Sequence, residues 1–427
     1  MKVLLLWSFF WTVVYCQTTP QCFGSDGSPT DWWVAIKLPR DTSSRDPKFV
    51  AGEAYVIITA QETKLDRFRL ETMGKSHPTS AHSRTMKQIF DRPSSSTHYY
   101  FAYNDDPPTG TANATYAHAK GVMEFTASGG FWLIHSMPNY CDIGLDAHAV
   151  PPSGCIYGQT YMCVTLDSSG VDSIGKYMQY ARPWVYNTSA IISSGVNTSK
   201  EVPTWLPSMP QMNAYLTGTV VTKTPESTVI NFQTAGGAWF KSLVKNVKWG
   251  QDLYSELVAP AFGVSLIAET WMRPFEPSIY GTLDVINVAT MGFSLPNGTL
   301  VDEWTETQDH SKWAASIMPY IPVVCIGDVN KQLSQTKRGG GTTCLVNTNL
   351  HKAMTALVSE TSYLDRLTET WTKPTAVEMM YPPVTTQKPS PIPLVTTVPT
   401  PAGATPSPLT PVPVTLRPRK VHRLKPC

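Results

Sequence analysis

The sequence predicts an α/β protein built of two similar halves, on three observations. Short β-like runs alternate with helical stretches along most of its 427 residues. A histidine two positions ahead of a lysine occurs twice, as His118-Ala119-Lys120 and His310-Ser311-Lys312. Each copy then reaches a polar cluster at the end of a β-like run. These are His135-Ser136-Met137-Pro138-Asn139 and Gly327-Asp328-Val329-Asn330, and the intervals 118 to 135 and 310 to 327 are both 17 residues. One such triplet is weak evidence. Two copies with matched sequels predict divergent halves sharing one site.

Residues 1–16 read as a secretory signal peptide: Lys2, an apolar run over 3–14, and Val14-Tyr15-Cys16 ahead of Gln17. The protein is therefore expected to be secreted or lysosomal. No later stretch has the roughly eighteen apolar residues that a spanning helix requires. The first half, 17–205, offers strands at 32–37 and 54–60, then a polar stretch over 63–97 with a short helix at 85–90. Asp105-Asp106-Pro107-Pro108 reads as a turn in preference to a metal site. A strand at 130–136 delivers His135 to its carboxyl end, where open α/β sheets tend to place ligands. Residues 193–211, with Pro203, Pro207 and Pro210, read as the connection. The second half, 206–375, is expected to hold strands at Val220-Val221, 265–269, 284–289 and 321–326, and helices at 241–256 and 350–371. Residues 376–427 form a tail: from Tyr381 onward lie thirteen of the chain's 36 prolines, mixed with Thr, Ser and Val. Such a segment cannot build a core and should be extended, disordered and O-glycosylated. It ends in a basic tip, Arg417, Arg419, Lys420, Arg423 and Lys425, read as solvated chain or an electrostatic tether.

A formal net charge of +2, with only 15% of residues charged, neither requires nor excludes a nucleic-acid partner. Beyond Cys16 the cysteines are Cys22, Cys141, Cys155, Cys163, Cys325, Cys344 and Cys427. None forms a Cys-x-x-Cys or stands at zinc-finger spacing to a histidine, so disulfides are expected, not metal. Cys325 and Cys344 bracket Asn330, and a bridge closing that loop would contribute about 3 kcal/mol. Cys427 is the odd one out, which leaves pairing between chains, and a homodimer, open. Sequons at Asn113, Asn187, Asn197 and Asn297 are candidate glycan sites.

The repeated motif suits a phosphodiester. Such a substrate needs an attacking group, an acid for the leaving oxygen and positive charge on the non-bridging oxygens. Histidine can serve as either of the first two. A lysine two residues along an extended strand points to the same face. An asparagine amide can hold a phosphate oxygen or orient an imidazole. Two such sets face to face place imidazoles on opposite sides of phosphorus, as in-line displacement requires, with no metal and no cofactor.

His118-Ala119-Lys120 and His310-Ser311-Lys312 resemble the His-x-Lys motifs of the phospholipase D superfamily, and the surrounding sequence resembles the deoxyribonuclease II family. The similar stretches include Asp31-Trp32-Trp33, Tyr103-Asn104-Asp105, the run from Gly130 to Ser136, Tyr157-Gly158-Gln159-Thr160, Pro183-Trp184-Val185-Tyr186-Asn187, Asp252-Leu253-Tyr254-Ser255 and Arg338-Gly339-Gly340-Gly341-Thr342. The resemblance covers about residues 22–357, because matches recur across that span; the tail lies outside it, although some plancitoxin-like secreted members carry extensions. It implies a phospholipase D-like pseudo-dimer of two α/β sandwiches with double-stranded DNA in the cleft between them. The implied activity is metal-independent and acid-active, leaving 3′-phosphate ends through a phosphohistidine intermediate. His118 would be the nucleophile and His310 the acid, the reverse being open. Lys120, Lys312, Asn139 and Asn330 would hold the phosphate, and His135 would orient or assist. Cys22–Cys163 and Cys325–Cys344 match family disulfides, leaving Cys141–Cys155 as a local pair. Three departures accompany this. No acidic residue closely follows Lys312, Ala314 stands where relatives often have cysteine, and the second polar cluster is one residue shorter than the first.

Other features carry blander readings. Arg338–Gly341 is a flexible turn or an anion-binding nest. Lys241, Lys245 and Lys248 recur at helical spacing and read as a solvated helix face. The sequence thus points to a secreted or lysosomal endodeoxyribonuclease. The alternative is a catalytically silent secreted glycoprotein of the same fold that binds DNA or a host protein, and a lipid phosphodiesterase is a third reading.

Overall fold

The computed structural model describes residues 19–62, 68–74, 77–91, 97–141, 150–188, 203–295 and 298–362. The signal peptide, the sequons at Asn197 and Asn297, the Pro/Thr-rich tail and Cys427 lie outside the described residues.

The fold is mixed α/β and dominated by two large sheets. The eight strands of the first run in the order Val185–Thr188, Tyr99–Asn104, Lys120–Thr126, Gly129–His135, Gln159–Asp167, Trp32–Lys37, Ala54–Thr59, Arg69–Thr72. The second has nine: Ser227–Gln233, Trp239–Lys245, Gly340–Val346, Val323–Gly327, Lys312–Ser316, Leu266–Thr270, Val285–Ser294 and Leu300–Thr305, with Val358–Ser362 also on Val285–Ser294. All the neighbours are antiparallel except Leu266–Thr270 and Val285–Ser294.

One four-strand arrangement occurs in both sheets. Tyr99–Asn104, Lys120–Thr126, Gly129–His135 and Gln159–Asp167 correspond to Leu266–Thr270, Lys312–Ser316, Val323–Gly327 and Gly340–Val346. In each set the motif lysine opens the second strand, and a helix follows the fourth. Asp167 caps the helix Ser168–Ala181 by accepting from the Gly170 amide at 2.7 Å. Asn347 caps Thr348–Ala356 through the Leu350 amide at 2.9 Å. Each cap satisfies an amide that the first turn leaves without a partner.

Strand periodicity distributes the apolar residues over two faces. In Gly129–His135, Trp132 and Ile134 enter a core common to both sheets, while Phe131 and Leu133 enter one formed by residues of the first half alone. The common core joins Met123 and Phe125 to Phe240, Val244, Trp313 and Ile326, with Val171, Ile174, Leu350 and Met354 from the two capped helices. This shared core holds the two sheets in fixed relation, and so fixes the site between them.

The strands expected at 32–37, 54–60, 130–136, 265–269, 284–289 and 321–326 are present, the fifth extending to Ser294, and the expected short helix spans Ala81–Asp91. Three expectations fail. Residues 241–256 are not one helix: Trp239–Lys245 is a strand, followed by a π-helical turn at Tyr254–Val258. A spacing of four fits a strand of period two as well as a helix, so the lysine pattern could not decide. Val220-Val221 is irregular, with the Val221 amide donating to the Gln179 carbonyl at 2.9 Å. The last helix stops at Ala356, and the chain turns back as the strand Val358–Ser362.

Cys22–Cys163 and Cys325–Cys344 are bridged as expected. Of the proposed local pair, Cys155 is disulfide-bonded and Cys141 is buried. The Tyr186 hydroxyl fixes the Cys141 backbone, accepting from its amide at 2.9 Å and donating to its carbonyl at 2.6 Å. Replacing Cys325 and Cys344 together by serine opens a loop with a sequence separation of 19. Urea unfolding should then show a loss of about 3 kcal/mol. A loss below about 1 kcal/mol would mean that the strand pairing of Cys325 with Cys344 suffices without the bond.

Candidate active site

The two His-x-Lys motifs are bound crosswise. The His118 amide donates to the Gly339 carbonyl at 3.1 Å, and the His310 amide donates to the Gly158 carbonyl at 2.9 Å. Each histidine thus leads into a strand of one sheet while its backbone is tied to the segment entering a strand of the other. The Lys312 amide adds a bond to Thr160 Oγ1 at 3.0 Å. Glycine allows the close approach: a Cβ on Gly339 would lie 2.3 Å from the Ala181 carbonyl oxygen, and one on Gly158 would lie 2.5 Å from the Asp309 carboxyl.

Both motif lysines are buried. Lys120 pairs with Asp105, whose other oxygen accepts from Arg338 at 2.9 Å. Arg338 also donates to the Tyr116 and Ala117 carbonyls, tying the segment ahead of Gly339 to the one ahead of His118. Burial raises the Asp105 carboxyl, but Lys120, His118 and Arg338 outweigh it and hold it well below the usual carboxylate range. Lys312 has no ion-pair partner among the described residues and donates to the His310 carbonyl at 3.1 Å. Burial and the charge of Lys120 bring it down to about 7.

The imidazoles are held differently. His118 Nδ1 lies 2.9 Å from Gln335 Oε1. Burial, Lys120, Lys312 and Arg338 depress His118 well below its ordinary value, against the opposing pull of Asp105. His310 lies flat on Tyr157, with ring centroids 4.2 Å apart and an interplanar angle of 11°, and packs on Trp271 at 4.5 Å. Burial, then Lys312, Lys120 and Arg273, lower it to about 3. Its neighbour Asp309 does not offset this, because its carboxylate accepts from Trp304 Nε1 at 2.7 Å and from the Ser311 amide at 2.7 Å. Each lysine therefore acts on the histidine of the other motif as well as its own, so the four groups occupy one electrostatic region. Its charge is predominantly positive, as an anion site requires.

His135 is buried, its ring centroid 5.0 Å from Tyr140 and 6.0 Å from Tyr161, and neither ring nitrogen has a hydrogen-bond partner among the described residues. Burial and Lys120 keep it neutral to well below its ordinary range. Asn139 turns its amide toward the preceding turn, donating to Asp106 Oδ1 at 2.9 Å and the Pro107 carbonyl at 3.2 Å. Its backbone φ of 56° is a left-handed value that asparagine tolerates. Asn330 is buried, and its Oδ1 has no partner among the described residues. The sequons at Asn113 and Asn187 both lie within the described residues; the Asn113 side chain accepts from the Thr115 amide at 3.1 Å.

Several participants escaped sequence reasoning. Asp105 is the buried counterion of two cations, not merely a turn residue. Arg338–Gly341 forms no anion nest: Arg338 is spent on Asp105, the Gly339 carbonyl serves His118, and Gly340–Val346 is a strand. Lys245, read as a solvated helix residue, is buried and donates to the Gln335 and Thr336 carbonyls at 2.9 and 3.1 Å. Trp271 and Gln335 carried no local signal, and Tyr157 stood only within a stretch that resembles the family. Among the described residues no group of three or more His, Cys, Asp and Glu is placed to hold a metal ion, and no helix is long and apolar enough to cross a membrane.

The family profile described as Deoxyribonuclease II matches residues 21–363, most of the chain. The chain belongs to the deoxyribonuclease II family. Plancitoxin-1 of Acanthaster planci is 32% identical over 346 residues, 79% of this chain and 91% of its own length. Deoxyribonuclease-2-alpha of Rattus norvegicus is 32% identical over 367 residues, 83% and 97%. A putative deoxyribonuclease-2 of Burkholderia pseudomallei is 31% identical over 336 residues, 76% and 88%. Both motifs, His135, Asn139 and Asn330 all fall within the family match, which ends before the Pro/Thr-rich tail. Membership makes the chain a hydrolase of the deoxyribonuclease II type.

Proposed function

We propose that the protein is an acid endodeoxyribonuclease that cuts double-stranded DNA without metal, through a phosphohistidine intermediate, to leave 3′-phosphate ends. The observation that carries this reading is the crosswise convergence of two His-Lys pairs in one buried, positively charged region. There Lys312 has no ion-pair partner among the described residues, a place that a phosphate oxygen would fill. His118 attacks phosphorus; the bond to the 5′ oxygen breaks, and that oxygen takes a proton from His310. Water then attacks the phosphohistidine, giving its proton to His310, and the P–N bond breaks to release the 3′-phosphate. Lys120, Lys312 and Asn330 hold the non-bridging oxygens. Asn139 acts by fixing the turn that carries Asp105, and His135 orients or assists. The repeated strands support a phospholipase D-like pseudo-dimer whose halves are 17–205 and 206–375. Secretion or lysosomal delivery and glycosylation at the sequons complete the proposal. No feature of the site favours a silent binding glycoprotein.

Acid activity follows from the charge balance. With no substrate bound, burial and then the lysines keep His310 neutral above about pH 3. An arriving phosphate anion offsets part of the cations' charge and raises the imidazole. Binding then takes up a proton, and affinity increases as pH falls between the free and bound values. His118→Ala should bind a DNA duplex more tightly at pH 5 than at pH 7.5, with proton uptake seen as a buffer-dependent heat in titration calorimetry. Equal affinity and no proton uptake would remove this account of acid activity. Plasmid cleavage by the wild type with chelator present, followed by end analysis, tests the whole reading; 5′-phosphate ends or a requirement for Mg²⁺ would overturn it.

A further inference from the structure

Gln335 Oε1, 2.9 Å from Nδ1, is the side-chain hydrogen-bond partner of the His118 ring. It comes from the far side of the site, 217 positions along the chain, on the short helix Leu333–Thr336. Gln335 is buried and its backbone is fixed at both ends: its amide donates to the Gln332 carbonyl at 2.9 Å, and its own carbonyl accepts from Lys245 Nζ at 2.9 Å. An amide oxygen can only accept, so Nδ1 carries the proton and the lone pair resides on Nε2. We infer that Gln335 is a positioning residue that locks His118 in the Nδ1–H tautomer and, as an uncharged acceptor, leaves the ring unprotonated in acid. This rests on the reading of His118 as the nucleophile.

The absence of charge on this acceptor is what matters. A carboxylate in its place would make a charge-assisted bond to imidazolium and favour the protonated ring, which has no lone pair to attack with. The charged groups that face His118 are Lys120 at the start of the strand it leads into, Asp105 from the preceding turn, Lys312 from the second sheet and Arg338 from the segment ahead of Gly339. Asp105 is the only acid among them, and it is already engaged by Lys120 and Arg338. Cations thus outnumber the available negative charge around the ring, and the neutral amide does not disturb that balance. His310 has no acceptor of this kind: its ring is held between Tyr157 and Trp271, with Nε2 lacking a partner among the described residues. The two imidazoles are therefore prepared for different work, one fixed in tautomer with a free lone pair and the other fixed only in plane.

The test compares Gln335→Glu and Gln335→Met with the wild type, following kcat/KM on DNA against pH and the ¹⁵N spectrum of labelled histidine. The His118 signals are assigned by their loss in His118→Ala. In Gln335→Glu the acid limb of the profile should move up by about one pH unit or more, and the His118 signals at pH 5 should become those of imidazolium. In Gln335→Met, kcat should fall roughly tenfold or more at every pH with KM and the acid limb unchanged, and the Nδ1–H signature should give way to mixed tautomers. Melting temperatures close to the wild type would establish that both variants fold. If either variant fails to fold, the wild-type spectrum decides alone: an Nε2–H tautomer for His118 overturns the inference, as do superimposable pH profiles and spectra in folded variants. Full cleavage by His118→Ala would be a different failure, ending the nuclease reading whatever the Gln335 variants do.

Discussion

Cleavage of DNA at acid pH is expected to fall on the order of 10⁴-fold or more in His118→Ala and about 10²–10⁴-fold in His310→Ala. The difference reflects the two roles. Without a nucleophile the covalent route is closed, whereas without the acid the leaving oxygen departs as an alkoxide, slowly but by the same route. A phosphodiester that releases p-nitrophenolate separates the roles, because that leaving group needs no proton. In a single turnover His310→Ala should release p-nitrophenolate at close to the wild-type rate, with later turnovers slowed because His310 also takes the proton of the attacking water, while His118→Ala should remain inactive. The opposite pattern would exchange the two assignments. Full activity of both variants on both substrates would leave the paired motif without a catalytic role.

Removing the Asp105 carboxylate should cost about 3–5 kcal/mol of unfolding free energy, because Asp105→Ala leaves the charge of Lys120 buried without its partner and that of Arg338 without its carboxylate. The pH dependence follows from the direction of the Asp105 shift. Its carboxyl titrates lower in the folded protein than in the unfolded chain. The contribution is therefore complete above the unfolded value of about 3.9 and is lost only as pH falls through the lower folded value. Wild type and variant should thus differ by the same amount at pH 5 and pH 7 in denaturant titrations. A difference at pH 7 that has largely vanished at pH 5 would show that the carboxylate is not held by these cations. An enzyme proposed to work in acid keeps this ion pair intact throughout its working range.

The legible part of the molecule was its strands and its paired motif. Short continuous apolar runs such as residues 32–37 and 130–136 announced themselves by their β-branched and aromatic content, and both are present. The residues 241–256 misled because Lys241 and Lys245 are four apart, a spacing that one face of a helix and one face of a strand share. The family resemblance, not the cysteine spacing, implied Cys22–Cys163 and Cys325–Cys344, and both bridges are present.

By itself the sequence determined which groups could do chemistry, because His118, Lys120, His310 and Lys312 are fixed residue types at a short spacing that a strand preserves. It also determined that there are two such sets. Tertiary structure alone decided what each group became. Asp105 became a counterion, Arg338 a strap between the sheets and Gln335 the acceptor for His118 Nδ1, through bonds that span 217 to 233 positions in the last two cases. Contacts at that separation obey no local period. They exist only because the shared core brings the two sheets together and the lysines, once buried, impose their field on both imidazoles.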